Sequence, residues 1–132
     1  MGLFTSINIA STGLAAERLK SDVISDNIAN ASRAQDGGPY KRSRVIFRPV
    51  ADETPTWRTA YLPSNLDNGV GKGVKVQEIV KDTTRGTLIY DPDHPDAIKS
   101  GPEKGYVEYP NVNIVNEMVD LIASSRAYEA NT

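Results

Sequence analysis

The stretch NVNIVNEMVDLIASSRAYEANT, residues 111–132, decides the architecture. Ile114, Met118, Leu121, Ser125 and Tyr128 recur at steps of four, three, four and three, the heptad spacing that keeps one helix face against a partner. Val115, Val119 and Ile122 flank that seam and widen it into an apolar face. Asn113 stands where an N-cap would accept from the first free amides, and Glu117 lies in the early turns, where the helix dipole favours negative charge. A helix over 111–132 follows. It stops in mid-pattern at Thr132, with neither glycine nor proline, which suggests a natural chain that continues.

The other end of the chain mirrors this. Residues 5–31 read as a helix started by Thr5 or Ser6, rich in Ala, Leu, Glu, Arg and Lys, with no proline before Pro39. Ile7, Ala10 and Leu14 share a face, and Ala16, Leu19 and Val23 continue a narrow apolar stripe that Asn27 and Asn30 interrupt. Between the helices the pattern changes from helical to alternating. After a turn at 36–39, strands are expected over 40–49, 74–80, 87–90 and 106–109, with a proline- and glycine-broken loop over 50–73 that carries Trp57. The expected class is therefore α+β. An N-terminal helix (1–35) and a C-terminal helix (111–132) flank a small β-rich middle segment with long loops (36–110). Isolated helices of this length are marginal in water, so both seams need partners. Each other, the sheet and helices of other copies are all open to them.

Bulk composition narrows the function. Hydrophobic residues make up 39% of 132 residues, enough for only a modest core. A net charge of −2 gives no footprint for a dedicated nucleic-acid binder. The absence of cysteine removes disulfides, zinc–thiolate sites and thiol catalysis. The N-terminus lacks the basic region and unbroken apolar run of a cleaved signal. No apolar run approaches the length of a membrane-spanning helix.

Chemistry-bearing residues are sparse. His94, the single histidine, sits in Asp91-Pro92-Asp93-His94-Pro95-Asp96, which lacks the glycine and distal glutamate of a calcium loop and reads as an Asx-type turn. Gly69-Val70-Gly71-Lys72-Gly73 lacks the spacer and the hydroxyl residue of a phosphate loop. No elbow presents a serine to His94. Lys41, Arg42, Arg44 and Arg48 form a basic run on a strand, read as a solvated face or as an intersubunit contact with the acidic stretch 91–96. No catalytic residue, metal site, cofactor or small-molecule substrate is expected. Two other readings stay open: a periplasmic binding module using Trp57 as a stacking platform, and a small enzyme around 91–96.

Longer motifs decide between them. SINIASTGLAAERLKSDVISDNIANA at 6–31 resembles the N-terminal signature of the flagellar rod and hook proteins. GPYKR at 38–42 and VIF at 45–47 resemble the turn and strand of proximal rod members. So do YDPDHPDA at 90–97, GYV at 105–107, PNVNIV at 110–115, EMVDLI at 117–122 and SRAYEAN at 125–131. The resemblance covers nearly the whole chain except 51–73. It implies a structural axial subunit of the basal-body rod, exported by the flagellar type III apparatus without a cleaved signal. Such a subunit polymerises with copies of itself and other rod proteins into the torque-transmitting shaft that spans the periplasm. A distal rod or hook subunit is the alternative within the family, though those carry longer middle domains. The terminal helices would form an inner coiled-coil layer, with Ile7, Leu14, Leu19 and Val23 pairing against Met118, Leu121, Ile122 and Tyr128. Asn27, Asn30, Asn111 and Asn113 would cap helices or bridge backbones between subunits.

Overall fold

A computed structural model describes residues 3–33, 38–50 and 72–132. The elements run α1 (Leu3–Ala29), β1 (Ser43–Pro49), β2 (Val74–Lys81), β3 (Leu88–Tyr90), β4 (Tyr106–Glu108) and α2 (Ile114–Asn131). The class is α+β, with helices at the ends and small antiparallel sheets between them. Trp57 and most of the expected 50–73 loop lie outside the described residues.

Helix α1 begins earlier than its sequence signals imply. Leu3 and Phe4 are already helical, so Thr5 and Ser6 lie inside the first turns and do not cap them. Neither proline nor glycine stands between Leu3 and Gly13 to halt the helix. At the other end, Asn30 Nδ2 donates to the Asp26 carbonyl at 2.8 Å, and the chain turns away through residues 30–32. Helix α2 starts as its cap predicts. Asn113 is extended, and its Oδ1 accepts from the amides of Val115 (3.1 Å) and Asn116 (3.3 Å).

The middle forms two separate two-stranded sheets, β1–β2 and β3–β4. In the first, Ser43 pairs with Lys81 and Pro49 with Val74, and the register slips between Ile46 and Phe47 so that Gln77 has no partner. Residues 40–42, expected as strand, precede the ladder. Arg42 N–H donates to the Asn111 side chain at 2.8 Å, while its carbonyl accepts from Asp82 N. In the second sheet Ile89 faces Val107, and the Tyr90 and Tyr106 rings meet edge to face at 5.1 Å.

Helices α1 and α2 pack antiparallel. Asn27 meets Glu117, Ser21 meets Ser124, and Gly13 meets Asn131. A Cβ at Gly13 would come within 3.3 Å of the Asn131 amide, so glycine lets the helices approach there. The β1–β2 hairpin lies along α1, held at both ends. Ser43 is bonded by Asn27, and Val74 N–H donates to Thr12 Oγ1 at 3.1 Å. Between these points Lys20 Nζ stands 5.9 Å over the Phe47 ring.

Candidate assembly surface

The hydrogen-bonded seam between the helices is polar, and most of the apolar surface of α2 points elsewhere. Glu117, Ser124 and Asn131 follow one another every seven residues along α2 and make the contact with α1. Ser124 Oγ donates to Glu17 Oε2 at 2.7 Å, and Ser21 Oγ lies 3.0 Å away. Glu117 and Asn27 are both 1% exposed. Asn27 Nδ2 donates to Glu117 Oε2 at 3.1 Å and to the Ser43 carbonyl at 2.8 Å, while Asn27 Oδ1 accepts from Ser43 N at 2.9 Å. One asparagine side chain thereby serves as a strand partner to Ser43 and ties α1, α2 and β1 together.

Arg42 completes the cluster. Its Nε donates to Glu117 Oε1, and its Nη2 reaches Asp120 Oδ2 at 3.4 Å. The Tyr40 hydroxyl stands 2.9 Å from Asn27 Oδ1 and 3.0 Å from Asp26 Oδ2, two acceptors for one proton. Burial first, then the Asp26 carboxylate, hold this hydroxyl above the ordinary tyrosine range, against a lowering contact with Ser43. Every buried polar side-chain atom among the described residues has a partner.

The residues singled out from sequence occupy distinct places. Leu14, Leu19 and Tyr128 line one open groove of about 370 Å³ beside the helix pair. Val23 borders a second groove with Ile24, Arg42 and Glu117. Leu121 is half-buried. Ile7, Met118 and Ile122 face outward; Met118 is 50% and Ile122 62% exposed. With Val115 and Val119 these two α2 residues form a continuous apolar stripe at i, i+3, i+4 and i+7. Leu3, Phe4 and Ile7 extend a second exposed apolar surface at the start of α1.

The asparagines act within the subunit. Asn113 caps α2, Asn30 bonds the end of α1, and Asn27 joins three elements. Asn111 accepts from Arg42 N and donates to the carbonyls of Asp82 (3.1 Å) and Thr84 (3.0 Å), extending the β1–β2 ladder by a side chain. Sequence reasoning missed Glu17, Ser21 and Ser124, read Arg42 only as part of the basic run, and gave Glu117 only a helix-dipole role. On α2 the seven-residue step through Glu117, Ser124 and Asn131 was the readable signal.

The basic run also divides. Lys41 pairs with Glu108 at 3.3 Å and Arg42 with Glu117, whereas Arg44 and Arg48 are exposed. The acidic turn closes on itself: Asp93 N–H donates to Asp91 Oδ1 and Asp96 N–H to His94 Nδ1. Among the described residues no group of three His, Cys, Asp or Glu is placed to hold a metal. No helix among them is long and apolar enough to cross a membrane.

The two helical ends match known families. Residues 7–32 match the flagella basal body rod protein family, and residues 103–132 match the C-terminal family of the flagellar basal body rod FlgEFG proteins. The whole chain is 60% identical to the flagellar basal-body rod protein FlgC of Borreliella burgdorferi, covering 88% of that protein. Over 99% of its length it is 36% identical to FlgC of Bacillus subtilis (87% covered) and 34% identical to FlgC of Salmonella typhimurium (86% covered). With this likeness running through both helices and the sheets between them, the chain belongs to the FlgC family of flagellar basal-body rod proteins.

Proposed function

We propose that this chain is a structural subunit of the bacterial flagellar basal-body rod that works by assembling through its terminal helices and carries no catalytic role. Its family consists of rod proteins, and a rod is built with other rod components. The observation that carries the mechanism is the outward apolar stripe on α2. Val115, Met118, Val119 and Ile122 are half or more exposed although the subunit has helices and sheets available to cover them. A stripe of this kind marks an interaction surface. The polar seam holds the two helices in register inside the subunit, and the stripe is left to meet helices of neighbouring subunits. The exposed start of α1 (Leu3, Phe4, Ile7) supplies a second patch. Two unlike patches give a head-to-tail contact, and such contacts build open helical assemblies. Many helices packed side by side would share the torque.

The same small core suits passage through the flagellar type III export apparatus before assembly. Ala16, Ile24 and Val107 are the buried hydrophobic side chains among the described residues, so unfolding the subunit releases little apolar contact. The working location is the periplasm-spanning rod.

Ile122→Asp tests the assembly reading, since Ile122 is 62% exposed and the substitution leaves the seam intact. Normal circular dichroism and thermal unfolding with loss of rod formation and swimming are expected. Normal motility with this variant would remove α2's stripe from the mechanism.

A further inference from the structure

The β1–β2 hairpin has two faces of different chemistry. Phe47 faces α1 beneath Lys20, so by strand alternation Arg48 stands on the opposite face, whereas Arg44, beyond the register slip, borders the groove lined by Lys20, Val23 and Ile24 of α1. Lys75, the register partner of Arg48, joins Arg48 there. All three are exposed, and no ion pair links any of them to the described residues. Arg44 borders the groove that Glu117 and Asp120 line and weakly lowers the Asp82 carboxyl, which Thr84 chiefly holds below the ordinary range, while Glu78, paired with Ile46, is the acidic residue of the ladder. The face keeps an excess of positive charge.

The complementary charge lies on the other sheet. The β3–β4 ribbon leaves the Arg42–Asn111 junction through Thr87 and Tyr109 and ends in the 91–96 turn. That turn carries Asp91, Asp93 and Asp96, and its backbone is pinned: Ile98 N–H donates to Tyr106 O at 2.9 Å and Asp91 N–H to Gly105 O at 2.9 Å. Asp91 and Asp96 each have a local contact, whereas the Asp93 carboxylate has none among the described residues. Pinned turn and basic face sit on separate sheets, and no bond between them occurs within the subunit.

We propose that the Arg48–Lys75 face of one subunit docks the Asp91–Asp96 turn of a second copy of this chain. The proposal rests on the assembly reading above and names a contact additional to the helical stripe. A heterologous contact needs two complementary patches at different places on one chain, and this pair meets that condition. Opposed charge patches speed encounter and reject wrong registers, which a helical polymer requires. Like charges met in the wrong register would repel.

The chain has no cysteine, so cross-linking reports the contact directly. Full-length Arg48→Cys/Asp93→Cys protein is expressed in cells that depend on it for motility, and isolated basal bodies are treated with a short bis-maleimide. Multimers of this chain are expected from the double variant and not from either single variant. Assembled rods without such multimers, or a cross-link to a different rod protein, would overturn the proposal. Charge exchange gives the second readout. Arg48→Glu and Asp93→Lys should each cut the swimming fraction about ten-fold, and the two together should restore it. A double variant as defective as the worse single one would count against the contact. If Ile122→Asp blocks rod formation while these tests fail, the assembly reading stands and only this contact falls.

Discussion

Replacing Glu117 by alanine should destabilise the polar cluster that ties both helices to β1, and the structure supplies the magnitude. The carboxylate is 1% exposed, accepts from Arg42 Nε, and accepts from Asn27 Nδ2 at 3.1 Å. Removing one partner of a buried ion pair costs about 3–5 kcal/mol. Two features favour the lower end. Arg42 is 25% exposed and keeps Asp120 at 3.4 Å, and Asn27 Nδ2 keeps the Ser43 carbonyl. A loss of about 3 kcal/mol follows, roughly a 150-fold fall in the folding constant. In urea, with a slope of about 2 kcal/mol/M, the midpoint should drop by about 1.5 M. Glu117→Gln retains an acceptor and should lose about half as much. The Arg42→Ala/Glu117→Ala cycle should show a coupling of at least about 1.5 kcal/mol. A midpoint shift under about 0.3 M for Glu117→Ala would refute the claim that this cluster holds the helices to the hairpin.

Two further outcomes are expected. A Cβ on Gly86 would lie 1.7 Å from the Tyr109 carbonyl oxygen, a backbone atom that cannot swing aside; Gly86→Ala should therefore cost about 3 kcal/mol or more in urea unfolding, and wild-type stability would mean the backbones at Gly86 and Tyr109 do not approach so closely. Burial chiefly raises the Tyr40 hydroxyl, so its folded pKa exceeds its unfolded one. Its contribution to stability is then complete below about pH 10 and lost as pH rises through the higher folded value. The difference between the ultraviolet titrations of the wild type and Tyr40→Phe should show this phenolate forming above the ordinary tyrosine range, and ionisation at or below that range would contradict the placement.

Much of the architecture is legible in the chain because it is written in local patterns. The Asn113 cap, the strand runs at 43–49 and 74–81 and the proline-rich turns each depend on neighbours a few residues away, and the structure has them where the pattern puts them within three residues. The start of α1 was misread because Thr5 and Ser6 are good caps, yet Leu3 and Phe4 before them are compatible with helix and extend it. Which face of each helix turns inward is a different kind of question. Apolar spacing put Met118 in the seam and Ile122 on its flank, whereas within the subunit the bonds from α2 to α1 come from Glu117 and Ser124, with Asn131 against Gly13. That choice depends on Asn27, Ser43 and Arg42, which lie 90, 74 and 75 positions from Glu117 in sequence and meet it or its partner only after folding. Local sequence determined the helices, strands and caps, because these are short-range hydrogen-bond and steric preferences. Tertiary structure alone decided that the buried seam is polar and the apolar stripe outward, because a buried carboxylate is tolerable only where distant donors converge on it.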